Sequence, residues 1–224
     1  MRLTHLSPAV GLSVLLAVAW TSRTLAAEPR RYQIESAVVE YKLSGTQTGK
    51  ETLYFDRWGM REAKHAQTEL KVAGRSFKTN RLTLLDGDWT YAVDLDKKTG
   101  TKLPTPLLGE LKKRLERENK SLAELGKEML IQMGGKKVGE ENLLGKPCEI
   151  WELKSLRAKS WIWQGVTLKT TVDFAGQSMV TEAVSIDDKA KISEDKLTVP
   201  AGVKITEGKN PLDSLKRIKK KTRP

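Results

Sequence analysis

Few side chains in this chain could do chemistry on their own. The two histidines are His5 and His65, and the sole cysteine is Cys148. A metal site of recognised spacing needs His or Cys in pairs or triplets, and none is present. A Ser-His-Asp or Cys-His device would have to use His65, and nothing near it in sequence suggests a nucleophile. Alone in a polar strand, His65 reads as a surface residue. The pair Gly134-Gly135 follows a helical pattern, whereas a phosphate loop would open one. Carboxylates are numerous, and a glycosidase-like pair could be assembled from distant strands. No spacing marks such a pair. The residue types therefore point to a non-enzymatic protein with no cofactor and no metal, and Cys148, without a disulfide partner, reads as a small buried hydrophobe.

What remains is apolar and aromatic, and its chemistry is the removal of apolar surface from water. Trp89, Tyr91, Val93, Trp161 and Trp163 stand at alternating positions in strand-like runs. Leu111, Leu125, Met129 and Met133 stand at helical spacing. These nine are the candidate ligand-binding residues. An ordinary filled core would use the same residue types, although Met adapts to varied shapes better than most.

The elements that must position them are mostly strands. Residues 32–44 alternate, with Ala37, Val39, Tyr41 and Leu43 on one side, and residues 51–56 should return beside them after a turn. A more polar strand follows over 61–72. Asp86-Gly87 signals a two-residue turn, which would place Leu84 opposite Trp89 and Leu82 opposite Tyr91, with Val93 and Leu95 extending the same dry face. Further strands are expected over 148–153, 159–163 and 178–187. A turn at Gln164-Gly165 would set Trp163 opposite Val166 and Trp161 opposite Leu168, the face running on through Val172 and Phe174.

Between these strands lies a helical insert, residues 107–133. Leu107, Leu108, Leu111 and Leu115 form one stripe, and Leu122, Leu125, Met129, Leu130 and Met133 a second. Ser121 and Glu124 have the spacing of a capping box and Gly134-Gly135 that of a stop, so two helices are expected. A helix stripe needs a cover, and the dry face bearing Trp89, Tyr91, Trp161 and Trp163 is the available one. The expected fold class is α+β, a curved antiparallel sheet with the central insert covering its concave face.

The ends carry different signals. Residues 1–27 have the basic start, short apolar run and small residues of a secretory signal peptide, with cleavage expected near Ala27 and a periplasmic destination. Of the net charge of +12, Arg2 and Arg23 supply +2, leaving +10. Much of that excess lies in the tail 208–224, where Lys209, Lys216, Arg217, Lys219, Lys220, Lys221 and Arg223 oppose only Asp213. Such a tail suits an anionic membrane surface or simple solvation. Basic residues not interleaved with aromatics over a fold argue against nucleic acid. The folded domain is expected over 28–207.

Three stretches, Gly87-Asp88-Trp89-Thr90-Tyr91, Gly145-Lys146-Pro147-Cys148-Glu149-Ile150-Trp151 and Trp161 to Lys169, resemble recurring motifs of an uncharacterised secreted family related to the LolA-like lipoprotein carriers. The resemblance spans about Tyr32 to Ile205. It implies a half-open β-barrel whose helices close the concave side, with a cavity that relatives use for lipid chains. Two functions follow as expectations: a periplasmic binding protein holding a lipid or other apolar ligand between sheet and helical lid, or an envelope sensor or scaffold that binds another protein through its surface over a filled core.

Overall fold

The computed structural model describes residues 30–72, 74–105, 115, 117–118, 122–174 and 177–208. The expected leader, the basic tail from Lys209 onward, and Leu111 with most of the first helical stripe fall outside them.

Twelve strands form one sheet: β1 (Ala37–Gly45), β2 (Gln47–Asp56), β3 (Arg61–Val72), β4 (Arg75–Asp86), β5 (Trp89–Asp94), β6 (Thr99–Pro104), β7 (Lys136–Leu143), β8 (Lys146–Leu153), β9 (Ala158–Trp163), β10 (Val166–Phe174), β11 (Gln177–Asp187) and β12 (Lys204–Glu207). Their spatial order is β12-β6-β5-β4-β3-β2-β1-β11-β10-β9-β8-β7. All neighbours are antiparallel except β12, which lies parallel to β6. The two ends of the series do not pair, so the sheet is open and mixed. This corrects the expected half-open antiparallel barrel closed by a helical insert.

Glycine makes the β1–β2 corner possible. Gly45 has φ 98°, and a Cβ there would collide with the Ser178 carbonyl of the neighbouring β11. From that corner β1 keeps its expected alternation, with Val39 and Tyr41 inward and Glu40 and Lys42 outward. The segment before Ala37 is not strand. Instead, Tyr32 and Ile34 pack onto the β1–β2 face, with the Tyr32 and Phe55 ring centroids 4.3 Å apart.

The sheet carries two cores. In the first, Val39, Tyr41, Leu53 and Phe55 join Cys148, Trp163, Val166 and Leu168. In the second, Ala63, Leu82, Leu84 and Val93 lie under Leu197. Tyr54 packs on this second core and is paired with Ala63, while Leu53 beside it belongs to the first. Successive residues of a strand point to opposite faces, so the two cores lie on opposite faces of one sheet. The cover of the second is the C-terminal segment: Leu197, in a 3-10 turn over Glu194–Leu197, with Ile192, Val199 and Val203.

The helical insert does not do this covering. Its described helix, α1 (Leu122–Gln132), buries only Leu125, at 1% exposed, while Met129 and Met133 are 47% and 59% exposed. Among the described residues the helix forms no substantial backbone contact with any strand. A salt bridge links it to β8, where Lys127 pairs with Glu149 at 3.3 Å. Among the described residues of the insert, Leu115 and Leu125 are buried, and Met129 and Met133 are not. The helix end is as expected: Gly134 takes φ 89°, Gly134 N–H donates to the Ile131 carbonyl at 2.9 Å, and Gly135 N–H to that of Leu130 at 2.8 Å. That is the Schellman pattern of helix termination.

Both expected hairpins form, with changes of register. The β4–β5 turn is Gly87-Asp88, with Gly87 at φ 56°, so Asp86 faces Trp89, Leu84 faces Tyr91 and Leu82 faces Val93. The pairs move by two residues, which leaves the dry face intact. In β9–β10, Gln164 and Gly165 both take positive φ and Trp163 faces Val166 as expected. A bulge then sets Trp161 opposite Lys169 in place of Leu168. Strands β7 and β12 go beyond the sequence expectation, since neither segment alternates clearly.

Candidate functional site

The nine candidate residues do not meet. Val93 is buried in the second core, 2% exposed, and Tyr91 packs on it. Trp163 is 7% exposed in the first core, and Trp161 packs on that one. These two groups are therefore on opposite faces of the sheet and line no common space. Leu125 is buried, Met129 and Met133 are exposed, and Leu111 lies outside the described residues. The set expected to line one cavity is thus split between two cores and a helix that covers neither.

Every described tryptophan has a cation over its ring. The Lys102 Nζ lies 4.3 Å from the Trp89 centroid, Lys146 Nζ 4.5 Å from Trp163, Lys169 Nζ 5.2 Å from Trp161, Lys127 Nζ 5.2 Å from Trp151 and the Arg30 guanidinium 4.4 Å from Trp58. Four of these cations are also paired with a carboxylate: Lys102 with Glu207 at 3.1 Å, Lys146 with Asp188 at 2.7 Å, Lys169 with Glu182 at 3.0 Å and Lys127 with Glu149 at 3.3 Å. The Trp161 Nε1–H also donates to Glu141 at 2.5 Å. A ring whose face holds an ion-paired lysine is already engaged, and an apolar ligand would have to displace it. This pattern was invisible in sequence, because each pair joins residues from different structural elements.

Two open spaces flank β4–β6. One, of about 430 Å³, lies between the sheet and the C-terminal cover, with Leu84, Tyr91, Leu197, Val199 and Ile205 as its apolar lining. Asp86 and Lys102 provide its charged groups. The other, about 460 Å³, includes Thr83, Ala92, Thr101 and Thr206, residues that point to the opposite face from Leu84 and Tyr91. Tyr91 is the one candidate residue that lines the apolar groove.

The groups with acid-base potential are engaged structurally. His65 is partly buried beneath the C-terminal cover, its ring edge-on to Tyr54 at 5.5 Å and its Nε2 3.4 Å from the Lys196 carbonyl oxygen. It stands in β3, as the strand reading expected, and is half-buried by this cover. Burial holds its pKa below the ordinary value. Cys148 is buried in the first core, and burial pushes its thiol pKa up. Among carboxylates, Glu62 accepts from the Tyr32 hydroxyl at 2.7 Å and pairs with Arg31 at 3.2 Å, while Glu51 pairs with Lys64 at 3.3 Å. Burial raises the Tyr41 pKa, and its hydroxyl donates to the Thr167 carbonyl at 2.9 Å. Among the described residues no three His, Cys, Asp or Glu side chains are grouped to hold a metal.

No family model matches this chain, and no curated protein matches it. Among solved structures it is similar to an uncharacterized conserved protein from Thermus thermophilus, with a TM-score of 0.50 at 10% identity, covering 79% of this chain and 92% of that one. At that identity the likeness concerns the fold alone. It also aligns with PNGF-II in its C2 crystal form at a TM-score of 0.41 and 15% identity, covering 83% of this chain and 33% of PNGF-II. The chain thus spans about a third of PNGF-II, and this second likeness carries no argument.

Proposed function

We propose that this chain is a non-enzymatic exported scaffold or sensor that recognises a partner protein through its surface. The observation that carries the reading is the fate of the aromatic residues. Trp161 and Trp163 belong with one core and Tyr91 with the other, on opposite faces, and the ring of each described tryptophan has a cation over it. Residues deployed this way hold a sheet rigid and leave its surface to do the recognising. The test is to purify the protein natively and crosslink it in its own compartment. The scaffold reading expects a lipid-free protein and a discrete crosslinked partner. A stoichiometric lipid seen by native mass spectrometry would overturn it.

A second reading is favoured by the Tyr91 groove. About 430 Å³ lined by Leu84, Leu197, Val199 and Ile205 is enough for a small apolar ligand. In this version the C-terminal segment, and not the helix, forms the wall that would move. Tyr91→Ala would then abolish the binding of an apolar fluorescent probe while leaving the fold intact. A probe that binds equally well to the variant would exclude the groove.

A further inference from the structure

We propose that the free end of the β3–β4 hairpin docks on an anionic bilayer surface. Both strands run for 12 residues, longer than their neighbours. The β2 register with β3 ends at Gln47 opposite Leu70, and the β5 register with β4 begins only at Asp94 opposite Arg81. The β3 strand therefore continues past β2 beyond Lys71, whose N–H still donates to the Thr46 carbonyl, and the outer edge of Arg75–Thr79 has no partner strand among the described residues.

The projecting end is basic and carries an aromatic side chain. From Leu70 to Arg81 the chain has four cations, Lys71, Arg75, Lys78 and Arg81, and no carboxylate. Lys71, Arg75 and Lys78 are exposed, as is Phe77, at 52%. The nearest acid on the hairpin, Glu69, stands opposite Lys78 and accepts a 2.5 Å hydrogen bond from Ser76. Acids of the β5–β6 turn are also engaged, Asp94 with Lys97 and Asp96 with Asn80, each at 2.9 Å. An aromatic side chain set among exposed cations suits the boundary between headgroup and acyl chain, with lysine and arginine meeting lipid phosphates. A pairing strand from another protein suits it less, because Arg75 and Lys78 on the free edge are the kind of charges that deter edge-to-edge addition. The inference rests on the hairpin and stands apart from the filled-core reading.

The test uses the full chain and sedimentation with two kinds of vesicle, pure phosphatidylcholine and phosphatidylcholine mixed with phosphatidylglycerol. Binding is expected only to the mixed vesicles and should weaken as salt is raised. Replacing Lys71, Arg75 and Lys78 together by Ser should weaken it about a hundredfold, at about fivefold for each cation. Phe77→Ser alone should cost roughly tenfold. Lys219, Lys220 and Lys221 changed to Ser in the tail form the comparison, and the Phe77 dependence should persist in that background. Near-UV circular dichroism verifies folding. If the triple variant fails to fold, Phe77→Ser and the salt dependence decide. Absence of binding to the mixed vesicles, equal binding to neutral ones, or binding that ignores every hairpin substitution would each overturn the proposal.

Discussion

Leu53 and Tyr54 are consecutive in β2 and serve different cores. Leu53, 4% exposed, packs with Val39, Phe55 and Leu168, whereas Tyr54 packs on the other face of the sheet with Ala63 and Leu197. One strand thus forms the shared wall of two separately covered half-sheets. The N-terminal Tyr32 and Ile34 cover one side and the C-terminal segment around Leu197 covers the other.

That division predicts additive energetics. Leu53→Ala and Leu82→Ala each remove a buried leucine, at 4% and 0% exposed, and should cost about 2–5 kcal/mol apiece. Because the two side chains belong to different clusters, the double variant should lose the sum within about 0.5 kcal/mol. Urea unfolding of the three variants measures this. A large coupling energy would mean that the cores act as one.

The lysine over Trp163 gives a second prediction. Lys146 stacks on that ring at 4.5 Å and pairs with Asp188 at 2.7 Å, both charged side chains being largely shielded. Lys146→Met keeps most of the stem and removes the charge, so about 1 kcal/mol should be lost from the stacking and ion pair together. The Asp188 carboxyl, held below its usual range chiefly by the hydrogen bond from Lys146, should titrate at higher pH in the variant. NMR titration of the Asp188 carboxyl carbon would record the change.

Strands and their dry faces were legible because alternation is a local signal. Leu82, Leu84, Tyr91 and Val93 share a face in the register observed, just as they would have in the one expected. The relation between distant dry faces was not legible. It depends on bulges at the 167–169 step of β10 and opposite Glu40 and Tyr41 in β11, and on the pairing of β1 with β11 across most of the chain. The covers are hidden from the sequence for a related reason. Tyr32, Ile34, Leu197 and Val203 lie in or beside irregular segments without periodicity, while the strongly periodic helix covers neither core. At the candidate site, the tryptophans were evident from composition and their lysine partners were not, since stacking joins residues that share no spacing rule.

His65 should make stability depend on pH. Its pKa is lowered by burial under the C-terminal cover, with the nearby Lys196 charge adding to the effect and the hydrogen bond to the Lys196 carbonyl opposing it. The unfolded chain then binds more protons than the folded one as pH falls through the ordinary histidine range, so stability is highest above that range and declines below it. The difference in urea midpoint between pH 7.5 and pH 5.5 should be larger for the native sequence than for His65→Gln. Equal differences would show that His65 is not shielded in solution.

Met129 and Met133 distinguish a lid from an unattached helix. A lid over the aromatic face would bury both, and replacing them by Lys would strand two charges in an apolar space at a cost of several kcal/mol. In the fold described they are 47% and 59% exposed, Met129 on α1 and Met133 just past its end. Substitution of both by Lys should therefore shift stability by no more than about 0.5 kcal/mol each. It should also leave the emission of the tryptophans unchanged, because each described ring face is occupied by a lysine or arginine. Strong destabilisation together with a red-shifted emission would restore the helix as a cover; an unaltered midpoint leaves covering to the segments around Tyr32 and Leu197.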